Sequence, residues 1–333
     1  MKAKCGNLIN QNRNKLEEVI PLSTPYSINI DPSNLCNFKC NFCAMQTSNK
    51  SVKYKKQIMS MELFKKVIDD ICKFPNKLKM LRISGQGEPL INQHISEMIS
   101  YAKQKDIAEY IEIVTNGSLL SPKLNRSLVK SGLDRIRISV EALSEEGYKE
   151  IAGVKINFSK FIENIKDLYD NKGNCEIYIK TVDVAVTTEE SKKKFYEIFG
   201  DICDKIFIDN VIPLWSDFEE MKIDKKLLKS CEGLHGQKIK PVSVCPYIFY
   251  SFIVNPDGQI TSCCADWQRK LILGDASVEA ITDIWNGNVI KEFWIDMLKG
   301  NKDKYEMCSK CVLPSVDCID NIDEYAGDIL KKL

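Results

Sequence analysis

The 333 residues, 44% hydrophobic and 28% charged, have the make-up of an ordinary globular protein with room for two domains, which excludes a disordered or fibrous chain. Lys and Arg total 47 against 46 Asp and Glu, a formal charge of +1, so no bulk field recommends nucleic acid or an anionic membrane as a partner. With neither a signal-peptide core nor a run of about 18 apolar residues, a cytoplasmic setting is expected, where the 14 cysteines stay reduced and metal or redox chemistry is their leading use. Residues 1–25 read as an N-terminal extension. From Tyr26 onward short β-rich runs alternate with longer amphipathic ones, the pattern of βα units on a parallel sheet. Strands are expected over 27–30, 79–84, 110–115, 135–140, 176–184 and 205–211, and helices over 61–74, 93–104, 122–131, 159–171 and 189–199. In the first helix Leu63, Phe64, Val67, Ile68 and Ile71 share one face, which is core. Six βα units fall short of a closed eight-stranded barrel, so periodicity leaves a doubly wound sheet and an open partial barrel both standing. In either, ligands sit at the carboxyl ends of the strands.

Residues 26–215 form this first unit, 216–240 a charged linker, and 241–333 a smaller second domain. In the latter, β runs at 247–254 and 259–263 flank Asn255-Pro256-Asp257-Gly258, a hairpin signal, and 278–299 reads as a helix that Gly287 interrupts.

Cys36, Cys40 and Cys43 place three thiols within eight residues of the loop after the first strand. Three soft ligands hold an iron–sulfur cube by three irons and leave the fourth open, whereas structural zinc takes four closed ligands. With only His94 and His235 in the chain, a His-rich zinc site is excluded. Cys245, Cys263, Cys308 and Cys311 supply four more thiols, enough for a second cluster or a zinc ribbon. Cys264 and Cys318 remain as replacement ligands or hydrogen donors, and Cys5, Cys72, Cys175, Cys203 and Cys231 follow no metal spacing.

The Cys-x3-Cys-x2-Cys run, with Phe42 before its last cysteine, resembles the signature of the radical SAM superfamily. Ser84-Gly85-Gln86-Gly87-Glu88-Pro89 is similar to that family's Gly-Gly-Glu-Pro motif with Gln86 inserted. Ile138-Ser139-Val140-Glu141 resembles its Ile-Ser-x-Asp segment with Glu for Asp, and Thr115-Asn116-Gly117 its Thr-Asn-Gly turn. The C-terminal part resembles the SPASM/Twitch extension; it lacks the full seven-cysteine pattern, which favours the Twitch form with one auxiliary cluster on Cys245, Cys263, Cys308 and Cys311.

The resemblance implies an α/β fold, an open partial (β/α)6 TIM-like barrel with a small C-terminal β-hairpin and helix iron–sulfur domain. It implies S-adenosylmethionine (SAM) on the open iron of a [4Fe-4S] cluster held by Cys36, Cys40 and Cys43, and an auxiliary [4Fe-4S] cluster. SAM would be contacted by Phe42, Gly85, Gly87, Glu88, Pro89, Ser139, Glu141 and Lys155. Reduced flavodoxin or ferredoxin would supply the electron that cleaves SAM to a 5′-deoxyadenosyl radical. Asn116, Glu141, Asp209, Trp215 and Cys318 are the expected catalytic residues. The expected reaction is dehydrogenation of a small polar substrate, a sugar or aminocyclitol, with the auxiliary cluster accepting an electron. The alternatives are an epimerase with a cysteine hydrogen donor, a peptide or protein maturase, and a non-catalytic iron–sulfur or zinc module. About 25 residues before the first strand are too few for a leader-binding domain, and an open metal position has no use in a binding module.

Overall fold

The computed structural model describes residues 1–6, 13–47, 52–212, 232–238 and 240–333. Its strands are β1 (Lys4–Cys5), β2 (Ser27–Ile30), β3 (Leu78–Ile83), β4 (Ala108–Thr115), β5 (Arg135–Ser139), β6 (Glu176–Val182), β7 (Lys205–Asp209), β8 (Ser251–Val254), β9 (Gln259–Thr261) and β10 (Ile272–Asp275). The helices include α1 (Leu16–Val19), α2 (Ala44–Thr47), α3 (Met61–Ile71), α4 (Ile95–Lys105), α5 (Pro122–Lys130), α6 (Glu145–Ile151), α7 (Phe158–Asp170), α8 (Glu189–Phe199), α9 (Ile281–Asn286) and α10 (Asn288–Leu298).

All ten strands join one sheet in the order β1-β7-β6-β5-β4-β3-β2-β8-β9-β10. From β2 to β7 every neighbour is parallel and next in sequence. The sheet stays open, because β2 pairs with β8 rather than β7. The expected open (β/α)6 arrangement is therefore present, and the C-terminal hairpin extends its sheet instead of forming a separate layer.

Period-two alternation decides the two faces. Leu81, Ile83, Ile111, Ile113, Ile136, Ile138, Ile177, Ile179 and Ile206 are buried under the helices. The alternate positions, Arg82, Glu112, Arg135, Arg137, Lys180 and Asp209, give the other face a charged lining. The helices start on side-chain caps: Ser60, Ser121, Asn157 and Thr188 each accept from a first-turn N–H. In the C-terminal part, Trp285 and Trp294 meet edge to face with ring centroids 5.1 Å apart, and their indole N–H groups donate to Leu22 O and Ile248 O, both at 2.8 Å. This seats α9 and α10 against β8 and the N-terminal segment.

Several boundaries differ from expectation for local reasons. The run 176–184 ends as a strand at Val182, since Asp183 turns the chain: its Oδ1 accepts from Val184 N and Val211 N, both at 2.9 Å. The strand expected over 205–211 likewise ends at Asp209. Residues 247–249 form a 3-10 turn ahead of β8. Gly287 divides the expected long helix into α9 and α10. Of the linker 216–240, only 232–238 and 240 are described.

Candidate active site

The cysteine run follows β2 and is held from below by α6 and the loop beyond it. Phe38 is buried and packs edge-on to Tyr148 at 5.9 Å. The backbone N–H groups of Lys39 and Asn41 donate to Ala152 O (2.8 Å) and Ile151 O (2.9 Å). Within the run, Phe38 N–H points at Cys36 Sγ, 3.4 Å away, an arrangement that favours a thiolate there. Burial raises the Cys36 and Cys40 thiols above their ordinary range, and the neighbouring thiols raise Cys40 further. Cys36 is exposed and Cys40 and Cys43 are half-buried, so the run stays open on one side, and a bound metal group would stabilise its thiols as thiolates. Among the described residues no three His, Cys, Asp or Glu side chains close on a single ion. A soft, all-sulfur and spread donor set fits an iron–sulfur cube better than zinc.

The motif after β3 is folded onto the same loop. A Cβ on Gly87 would overlap the carbonyl oxygens of Ser33 and Leu35, and one on Gly85 would overlap the Asp31 carboxyl, so both glycines permit close approach to the segment leading into the cysteines. Glu88 N–H donates to Leu35 O at 2.8 Å. The Glu88 carboxylate is itself occupied: it accepts from Thr115 Oγ1 (2.5 Å), Leu90 N (3.0 Å) and Asn116 N (2.7 Å). Burial pushes its pKa up to about 7 despite these donors. Glu88 thus clamps the loop after β3 to the loop after β4, while Pro89 opens the 3-10 turn that follows. Asn116 reaches back to the cysteine run, its Nδ2 donating to Asn37 Oδ1 at 2.9 Å, and its side chain lowers the Cys36 thiol.

Glu141 is buried beyond β5, near enough to raise Cys36, Cys40 and Glu88 electrostatically. Burial raises Glu141, and Lys180 opposes this. Ser139 is half-buried and in register with Lys180 on β6. Phe42 packs with Val182 and Val211 at the ends of β6 and β7. Lys155 is exposed in the loop between α6 and α7, two residues after Gly153, which lies against Lys39. Trp215 lies outside the described residues.

Asp209 ends β7 with two partners, Lys180 Nζ at 3.3 Å on Oδ2 and His235 Nδ1 at 2.7 Å on Oδ1. Burial would raise it, but Lys180 and His235 hold it below its ordinary range. Sequence reasoning missed His235, whose segment carries no motif. Asn210 holds that segment, its backbone N–H donating to Leu234 O (2.8 Å) and its Nδ2 to Gly233 O (2.9 Å), and Asp317 Oδ1 accepts from Leu234 N at 3.2 Å. Deeper in the lumen, Glu112 is fully buried and takes Arg82 (2.9 Å) and Arg137 (2.6 Å) on Oε1, with Arg135 3.6 Å from Oε2.

The C-terminal thiols form a second group, and it is larger than the four expected. The Cys318 and Cys245 side chains hydrogen-bond, as do those of Cys263 and Cys264. Cys308 and Cys311 both feel Cys245, with burial pushing them up to about 12 and about 11. The hydrogen bond with Cys263 brings Cys264 down to about 7, helped by Arg82 of β3. Ala265 N–H points at Cys263 Sγ, 3.3 Å away. These six thiols could hold auxiliary iron–sulfur.

Comparison with known proteins agrees with this geometry. Residues 30–199 match the radical SAM superfamily, and residues 245–312 match SPASM, an iron-sulfur cluster-binding domain. A probable GTP 3′,8-cyclase from Methanocaldococcus jannaschii is 24% identical over 82% of this chain and 93% of its own. Among solved structures, BtrN in complex with AdoMet and 2-DOIA aligns with a TM-score of 0.54 at 16% identity, covering 86% of this chain and 92% of that one. Streptococcus suis SuiB bound to precursor peptide SuiA aligns with a TM-score of 0.64 at 16% identity, covering 83% and 68%. Among the described residues, no helix is long and apolar enough to cross a membrane.

Proposed function

The chain belongs to the radical SAM superfamily, and on that premise we propose that it dehydrogenates a small polar molecule, a sugar or aminocyclitol, in the charged lumen between its two thiol groups. The superfamily domain brings SAM and a [4Fe-4S] cluster, and the SPASM domain brings auxiliary iron–sulfur. Cys36, Cys40 and Cys43 would hold the first; Cys245, Cys263, Cys308 and Cys311 would hold the second, with Cys264 and Cys318 beside them. When bound, SAM with its cluster supplies hydrogen-atom abstraction from carbon, and the auxiliary cluster supplies a one-electron acceptor.

The remaining requirement is a proton acceptor, and the observation that carries the proposal is the Asp209–His235 pair at 2.7 Å. In the tautomer that donates Nδ1–H to Asp209, the imidazole carries its lone pair on Nε2, which can take the hydroxyl or amine proton of the substrate. Lys180 on the other carboxylate oxygen balances the charge when the imidazole is protonated. The substrate then loses one hydrogen atom, one proton and one electron, and a carbonyl or imine results. An epimerase needs a thiol donor and no such base; Cys318 is hydrogen-bonded to Cys245, which favours reading it with the auxiliary thiols.

The test incubates the reconstituted protein with SAM, dithionite and ring-deuterated glucosamine, myo-inositol or 2-deoxystreptamine. Deuterium in the deoxyadenosine together with a ketone is the expected result. Deuterated deoxyadenosine with an epimeric alcohol, or transfer from peptides alone, contradicts the proposal. His235→Gln is expected to lower ketone yield about 100-fold while deoxyadenosine still forms.

A further inference from the structure

One residue of the C-terminal part packs against the segment that ends the N-terminal cysteine run. Trp267 follows Cys264 by three positions and is 4% exposed. Its ring stands apart from the main core, in a separate apolar cluster with Ala44 and Met45, around which Cys43, Val52 and Tyr54 pack. Its carbonyl oxygen is pinned twice, by Tyr54 Oη at 2.8 Å and by Gln86 Nε2 at 3.1 Å. Tyr54 is fixed in turn by Arg269, whose guanidinium lies 3.8 Å from the ring centroid and pairs with Asp257 Oδ2 at 2.6 Å. Gln86 is fixed by its own backbone N–H on Asp31 Oδ2 at 3.0 Å. Gln86 is also the residue by which the 84–89 segment departs from the Gly-Gly-Glu-Pro pattern, so this departure has a structural use: it ties that segment to the C-terminal part.

We infer that Trp267, held by Tyr54 and Gln86, is a positioning residue through which the C-terminal domain excludes water from the Cys43 side of the Cys36, Cys40 and Cys43 triad and so lowers its reduction potential. The inference rests on reading that triad as the site of the SAM-binding cluster. Reduction adds negative charge to a group already carrying three thiolates, and water stabilises the more highly charged form. Covering the Cys43 side with an indole removes that solvation and makes reduction harder, the known influence of burial on such centres.

The experiment is an EPR-monitored redox titration of the reconstituted full-length protein and of Trp267→Ala, Trp267→Phe and Gln86→Ala. The triad's signal is the one that added SAM perturbs. Trp267→Ala is expected to raise the triad's midpoint potential while leaving the C-terminal potential and the iron content unchanged. Trp267→Phe should restore most of the shift, and Gln86→Ala should give an intermediate value. An unchanged triad potential in Trp267→Ala at full iron, or an equal shift in both centres, overturns the inference. Should Trp267→Ala fail to hold iron, Trp267→Leu is judged by the same criteria. If SAM perturbs neither signal, the reading of the triad fails and takes the inference with it; a SAM-responsive signal whose potential does not move defeats the inference alone.

Discussion

Glu112 is the residue on which the lumen's electrostatics turn. Burial alone would raise its pKa, but Arg82 and Arg137 outweigh that and hold it down at about 2. Because the folded value lies below the ordinary 4.5, its stabilising contribution is complete above that value and is lost as pH falls toward about 2. Glu112→Ala leaves two guanidinium groups without their carboxylate and should cost about 3 kcal/mol or more, read as a lower urea midpoint. Glu112→Gln should cost less and should flatten the acid limb of the stability profile between pH 4.5 and 2; a limb as steep as in the parent chain would assign that pH dependence elsewhere. Asp209 is held down in the same way by Lys180 and His235, but at the mouth of the lumen, where the pair can serve chemistry as well as folding.

At the scale of elements, the loops after β2, β3 and β4 behave as one unit, joined through Glu88, Asn116 and the two glycines of the 84–89 segment. Gly87→Ala is expected to push the 84–89 segment off Ser33 and Leu35 and to reduce iron uptake at the triad with little loss of helix content. Full iron loading and unchanged SAM binding would show that this close approach is dispensable. These loops were legible in the sequence because each carries its own motif at a strand end, and the strands between them were legible because isoleucines alternate with charged residues. What the sequence did not disclose has local causes. α6 buries only Tyr148 and has no apolar stripe, and β10 ends in Gly274-Asp275 and reads as a turn. His235 and Trp267 sit in segments without repeat or motif, and their importance comes from contacts with residues 26 and more than 180 positions away.

For the whole molecule, the single sheet is the organising fact. β8 pairs with β2 in parallel register, Phe252 beside Ile28, so the hairpin that leads into Cys263 and Cys264 shares a sheet with the strand that leads into the triad, and Trp267 packs beside the triad's end. By their names, relatives of this architecture include a GTP cyclase and structures bound to a precursor peptide and to 2-DOIA. The fold therefore does not choose the substrate, and the lumen residues must. The most direct test of the account is iron, sulfide and zinc content after anaerobic reconstitution, with deoxyadenosine measured by mass spectrometry after adding SAM and dithionite. The account predicts iron and sulfide at both thiol groups and deoxyadenosine that disappears when Cys36, Cys40 and Cys43 are replaced together by Ala, with iron retained at the C-terminal group. Zinc in place of iron, or deoxyadenosine formation that survives the triple replacement, would contradict it.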